Sequence, residues 1–224
     1  MLSHSVCLER SARAAFAAGL ILAVLSPSLV VGDSPSSPFS GLELVPSQNV
    51  GTLYRRPDVD ISAYSKIMIG EPAVEFSKNW NPRNYGSFGL SASQLKKIRT
   101  DLAAMAKSTF AQVLSEGGYE IVTEAGDGVL YINPNIVDVF INAPDVQEAG
   151  RTRSYAMDAG SATLALQAND AVTGTLLAVV FDQRRSRNST MRWSTTVSNR
   201  AAASAMLKGW AEQLKRELDA ARTK

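Results

Sequence analysis

The stretch Gly160–Arg187, GSATLALQANDAVTGTLLAVVFDQRRSR, decides the fold. In its first half Ala162, Leu164, Leu166 and Ala168 alternate with Thr163, Ala165 and Gln167. In its second half Leu177, Val179 and Phe181 alternate with Leu176, Ala178 and Val180. Apolar residues at every second position on both sides of a turn-rich hexapeptide predict an antiparallel hairpin with one buried face. The turn is Asn169–Gly174. Asn and Asp close turns through their own side chains, and Gly supplies the positive φ that re-enters the strand. Asp170, Thr173 and Gly174 are therefore expected to be structural, fixing the register of the hairpin.

Working outward, two helices flank this hairpin. Ser91 followed by Gln94 is a capping-box pattern that opens a helix over Ser91–Glu116. Leu95, Ile98, Leu102, Met105, Phe110, Val113 and Leu114 recur at three- and four-residue steps and form one apolar stripe, and Gly117-Gly118 ends the helix. The last helix is expected over Arg200–Ala221, capped by Asn199, with Ala203, Met206, Leu207, Trp210, Leu214 and Leu218 on one face. Trp210 is the expected anchor of that helix on the sheet. Further strands are expected within Tyr64–Phe76, where Gly70 and Pro72 argue for a bulge or an edge, and at Tyr119–Thr123 and Val129–Ile141. Pro134 in the last of these has no N–H for a ladder, which points to an edge or a bulge.

The N-terminus reads as an address. Arg10 and Arg13 precede the uncharged run Ala14–Leu25, and Pro27 and small residues follow. A basic region, a short apolar run and a small-residue boundary describe a secretory signal peptide over residues 1–32, cut after Ser26 or Gly32. The apolar run is too short to span a bilayer, which takes about 20 residues. The alternative is an uncleaved anchor extended through Pro27 to Val31. No cysteine ends the run, so a lipid-anchoring signal is missing, and the expected location is the periplasm or the outer-membrane surface without lipidation. Residues 33–62, rich in Ser and Pro at the start, are expected to be an extended linker or arm, residues 63–221 the folded domain and residues 222–224 a tail.

The chain has 224 residues, 45% of them hydrophobic and 20% charged, enough for one domain with a full core. A formal charge of +2 is too small to argue for nucleic acid. The lone Cys7 and the lone His4 both lie before the apolar run. Their removal would leave no disulfide, thiolate, imidazole or Cys/His metal site, and neither a cofactor nor a metal is expected. Catalysis would then need a carboxylate pair, a Ser–Lys dyad or a metal on oxygen ligands. Asp138, Asp145, Asp158 and Asp182 are scattered over strand ends and loops, Asp58 and Asp60 lack a third ligand, and Ser65-Lys66 and Ser77-Lys78 are neighbours that point apart on a strand. No catalytic residue is assigned.

Two clusters are candidate binding residues. Trp80 and Tyr85 lie in a polar loop, where aromatic rings either form a platform or lie down on the domain as a lid. Arg184, Arg185, Arg187 and Arg192, beside Trp193, form the densest positive stretch, suited to an anionic lipid head group or a phosphate, or else a solvated hairpin end.

Tyr64-Ser-Lys-Ile-Met-Ile-Gly-Glu-Pro-Ala-Val, the helix opening at Ser91, the turn Asp170-Ala-Val-Thr-Gly-Thr-Leu-Leu-Ala and the closing Trp210-Ala-Glu-Gln-Leu together resemble an uncharacterised family of bacterial envelope proteins. That family is a domain of unknown function with many predicted lipoproteins. The resemblance covers about residues 40–221 and implies secretion and an α/β domain, with no activity attached. The expected architecture is a single α+β domain of order β-α-β-β-β-β-α, its antiparallel or mixed sheet covered on one face by two helices. The expected function is a non-catalytic envelope module that binds a partner protein or supports an assembly. The alternatives are a carrier of a small ligand or lipid and, third, a carboxylate hydrolase.

Overall fold

The computed structural model describes residues 39–84, 89–142, 155–156, 160–186, 192–193 and 196–222. Its strands are β1 (Glu43–Val45), β2 (Thr52–Arg55), β3 (Lys66–Ile69), β4 (Val74–Phe76), β5 (Glu120–Val122), β6 (Val129–Ile141), β7 (Tyr155–Ala156), β8 (Gly160–Asp170), β9 (Leu176–Ser186) and β10 (Arg192–Trp193). Its α-helices are α1 (Ala92–Glu116) and α2 (Thr196–Arg222). The main sheet has the order β1-β2-β9-β8-β6-β3-β5, and β4 lies beside β6 beyond the end of β3. β7 and β10 form a separate pair.

The sheet is mixed. β8 and β9 are the hairpin that the sequence predicts, with Leu164 opposite Asp182 and Leu166 opposite Val180. β6, β8, β9, β2 and β1 run antiparallel in turn, whereas β3, β4 and β5 join in parallel. The parallel pairing of β3 with β5 follows from the connection between them, which passes through α1.

Ser91 caps α1 as expected: its Oγ accepts from the Gln94 N–H at 3.3 Å, and Gln94 Oε1 accepts from the Ser91 N–H at 2.8 Å. α2 starts at Thr196, so Asn199 sits inside its first turns rather than capping it. Both helices pack on one face of the sheet around Ile67, Phe110, Leu130, Leu164, Leu207 and Trp210, none more than 1–2% exposed. They run in the same direction. Their C-terminal halves meet where the Tyr119 hydroxyl donates to Asp219 at 2.9 Å, just beyond α1.

Two expectations need correction. The stretch 33–62 is not wholly an arm, because β1 and β2 lie within it and extend the sheet from β9. Short strands with Pro57 close behind leave too few alternating residues to show a period. On the opposite face of the sheet, Phe39 meets Tyr54 edge-on at 5.4 Å and stacks on Phe181 at 6.0 Å.

Pro134 is neither on an edge strand nor at a bulge. It sits within β6 opposite Leu166, buried, in the middle of the sheet. The reason lies on the other side of β6. Residues 132, 134 and 136 turn their backbone polar groups toward β3 and β4. The Gly70 N–H donates to Ile132 O and the Ile136 N–H donates to Ala73 O, while Pro134 faces the gap between the two short strands. The Asn135 side chain bridges the gap by accepting from the Ala73 N–H at 2.8 Å. The bulge lies further on, where β6 shifts register between Val137 and Phe140 and Asp138 takes a φ of 51°.

Candidate functional site

The apolar stripe of α1 is continuous in sequence but not in burial. Phe110 and Leu114 are fully buried, whereas Ile98, Leu102 and Met105 are only half-buried. α2 behaves alike: Trp210, Leu214 and Leu218 are buried, and Ala202, Ala203 and Met206 are not fully covered. The N-terminal halves of the two helices thus leave a space between them, over the end of β6 and the start of β8. It is a cavity of about 240 Å³. Ile98, Leu102 and Met105 form one wall, Ala203 and Met206 another, and Val139 and Phe140 belong to the sheet side.

The hollow has a local cause. α2 presents Ala202 and Ala203 where longer side chains would reach α1, and β8 presents Gly160 and Ala162 below them. Gly160 is obligatory there. Its φ is +144°, and a Cβ would overlap the Phe140 carbonyl oxygen. Small residues on two facing elements leave volume that packing would otherwise take up.

Trp210 and Leu207, each 1% exposed, close the inner end. Trp210 is held by Asp182, whose Oδ2 accepts from the indole Nε1 at 2.8 Å and from Arg184 Nε at 3.0 Å. The Arg184 guanidinium lies 5.7 Å from the Trp210 ring and passes over α2 at Gly209, which has no side chain to block it. Asp101 and Arg200 are the charged residues of the lining, both exposed.

The residues singled out in the sequence fall elsewhere. Trp80 is 6% exposed, stacks on Phe76 at 4.5 Å and donates its Nε1–H to Ile141 O at 2.9 Å, so it packs down on the domain and offers no open platform. Tyr85 lies outside the described residues. Arg184 and Arg185 do not form one patch. Arg184 is engaged by Asp182 and Trp210, and Arg185, its neighbour on the strand, points to the opposite face of the sheet. Arg187 and the side chains of Arg192 and Trp193 lie outside the described residues.

The turn after β8 is tied down from two directions. Asp170 Oδ1 accepts from the Thr173 N–H at 2.7 Å and the Val172 N–H at 3.0 Å, and Oδ2 accepts from the Tyr64 hydroxyl at 2.9 Å. Gly174 has a φ of +70°. The Thr173 N–H, followed by the Tyr64 hydroxyl, holds the Asp170 carboxyl below its ordinary range. Burial, then the Asp170 carboxylate, pushes the Tyr64 phenol up to about 12. Burial and Asp219 do the same to Tyr119, also to about 12, against the opposing charge of Arg222.

Among the acids considered for catalysis, Asp138 is exposed at the bulge and Asp182 is occupied under Trp210, while Asp145 and Asp158 lie outside the described residues. Among the described residues no three His, Cys, Asp or Glu side chains group as metal ligands, and no helix is long and apolar enough to cross a membrane.

Residues 33–214 match the family described as "Protein of unknown function (DUF3313)". The chain belongs to this family. No curated protein matches it. It is similar to several solved structures. One is a putative neuraminyllactose-binding hemagglutinin homolog from Helicobacter pylori, at 12% identity and a TM-score of 0.40, covering 70% of this chain and 86% of that one. Another is a PelC dodecamer from Paraburkholderia phytofirmans, at 10% identity and a TM-score of 0.36, covering 70% and 95%. A third is a minor lipoprotein from Acinetobacter baumannii, at 10% identity and a TM-score of 0.33, covering 71% and 95%.

The cavity between the helices is the candidate site that sequence reasoning does not reveal. Its residues read as core because their spacing is that of a core stripe. The signal that was available is the run Ala201-Ala202-Ala203-Ser204 at the start of α2, which supplies helix propensity without volume.

Proposed function

We propose that this chain is an exported, non-catalytic protein of the bacterial envelope that acts by binding an apolar ligand between α1 and α2. The observation that carries this reading is the half-covered cavity walled by Ile98, Leu102, Met105 and Met206. Apolar walls without neighbours forfeit packing contacts, so a matching apolar occupant would gain them. Export rests on the basic region, short apolar run and small-residue boundary of residues 1–32. Of the functions considered from sequence, the ligand or lipid carrier gains most from the cavity, and a protein partner inserting an apolar side chain is the competing occupant.

The test is titration of the mature protein with a neutral apolar fluorophore such as N-phenyl-1-naphthylamine. Saturable enhancement at one site is expected, with its loss in Ala203→Phe and in Ala202→Leu, each checked for an intact melting transition. Enhancement that never saturates, or that survives both filling substitutions in folded protein, would remove the reading.

A further inference from the structure

We infer that the ligand is an anionic single-chain amphiphile, its alkyl chain between Met105 and Met206 and its carboxylate or phosphate at Arg200. This inference rests on the reading that the cavity binds an apolar ligand, and it names the class.

Size selects one chain. At about 240 Å³ the cavity falls below the roughly 300–1,000 Å³ of sites that enclose a drug-sized molecule. A space of this size matches one alkyl chain better than two. The walls suit a flexible chain. Met105 and Met206 are unbranched and polarisable, so they adjust to an occupant that lacks a fixed shape. The inner end is closed by the buried Trp210 and Leu207, so the methyl end belongs there and the head group at the exposed rim.

Charge selects the head group. Asp101 and Arg200 are the charged residues of the lining. Asp101 is already paired with Lys97 at 2.9 Å, one turn back on α1, so its charge is answered locally. Arg200 is exposed and has no ion-pair partner among the described residues. Among the described residues the rim therefore carries one unanswered positive charge. It lies close to the start of α2, whose dipole adds to it. A guanidinium offers a fork of N–H donors matched to two oxygens of a carboxylate or phosphate.

The test displaces the naphthylamine probe from the mature protein with chains of equal length, kept below their micelle concentrations. The chains are decanoate, decyl phosphate, the neutral monodecanoylglycerol and decyltrimethylammonium. Decanoate or decyl phosphate should compete about fivefold or more better than the neutral and cationic chains, the size of one charge-assisted contact. Arg200→Glu, a surface substitution, should abolish that preference and leave the neutral chain unaffected. A preference for one anion over the other names the head group as carboxylate or phosphate. Equal competition by all chains, unchanged in Arg200→Glu, overturns the inference while leaving a binding pocket. No displacement by any chain overturns the pocket reading itself.

Discussion

The Trp210 indole donates its Nε1–H to Asp182 Oδ2 at 2.8 Å, and this contact ties α2 to β9. The same carboxylate binds Arg184 Nε at 3.0 Å through Oδ2, and its Oδ1 accepts from the Gly51 N–H at 3.0 Å, just ahead of β2. Asp182 thus joins three elements that are far apart in sequence. Its side chain is 13% exposed, so water replaces little of what is lost when it is removed.

Asp182→Ala leaves the indole N–H, the Arg184 guanidinium and the Gly51 N–H without their acceptor. A loss of about 2–4 kcal/mol in urea unfolding is expected, the range for breaking a largely buried charged network. Asp182→Asn keeps one acceptor oxygen and should lose less. Equal stability of Asp182→Ala and the parent would show that the network contributes nothing.

Filling the hollow should stabilise the fold. Ala203→Leu adds apolar atoms to a space bounded by Leu102, Met105 and Met206. Such cavity-filling changes commonly add about 0.5–2 kcal/mol. The chain carries Ala there, so the expected signature is a higher melting temperature together with lost probe binding. A lower melting temperature with normal folding would mean that the space is already packed.

The pattern of what was legible follows from range. The hairpin β8–β9, the long strand β6 and both helices repeat one local rule over ten or more residues, and each is where its periodicity places it. β1 and β2 span three and four residues, and only the pairing of β2 with β9 and of β1 with β2 defines them. The place of Pro134 is not legible locally, because its tolerance depends on β3 ending at Ile69 and β4 starting at Val74, a gap on a neighbouring strand. Two of the candidate binding residues are misleading for a related reason. Trp80 and Arg184 are conspicuous in sequence, yet each is spent on an intramolecular partner that lies 61 residues away for Trp80 and on the neighbouring helix for Arg184. The cavity depends on which small residues face each other across α2 and β8, and one-dimensional spacing does not record that.

Acid should loosen the hairpin turn through Asp170. Its carboxyl is held below the ordinary value by the Thr173 N–H and the Tyr64 hydroxyl, so the folded state prefers the charged form. The associated stability is present above the unfolded value of about 4 and is lost as pH falls through the folded one. In Asp170→Asn that share of the acid response should vanish. Thermal melts from pH 7 to pH 2 check this: the gap between parent and variant should narrow as the pH drops.

Alkali acts on Tyr64 and Tyr119 with the opposite sense. Both phenols are pushed up to about 12, by burial first and by Asp170 and Asp219 next, so the folded state prefers the neutral form. Their contribution is complete below the unfolded value of about 10 and is lost as pH rises toward 12. The double variant Tyr64→Phe, Tyr119→Phe should start less stable at pH 8 and then decline more gently. Parallel declines of parent and variant between pH 9 and pH 12 would exclude the two phenols as the cause.

Gly160 joins the fold to the cavity, and its replacement separates strain from volume. The residue pairs with Ile141 at the end of β6 and with Ser186 of β9, and it borders the cavity. Gly160→Ala meets two obstacles, a φ of +144° that L-residues avoid and the Phe140 carbonyl oxygen where its Cβ must go. The strain alone is of order 1–3 kcal/mol, and the overlap adds to it unless β6 moves. Relief by movement would shift Phe140 and Ile141, so probe affinity should fall along with stability. Gly174→Ala is the control: it also has a positive φ, but a Cβ there meets nothing within 4 Å and no part of the cavity is near. It should cost stability through its backbone alone and leave the probe affinity at the parent value. Equal losses of affinity in the two variants would show that the cavity responds to global stability and that the seat of Gly160 has no special hold on it.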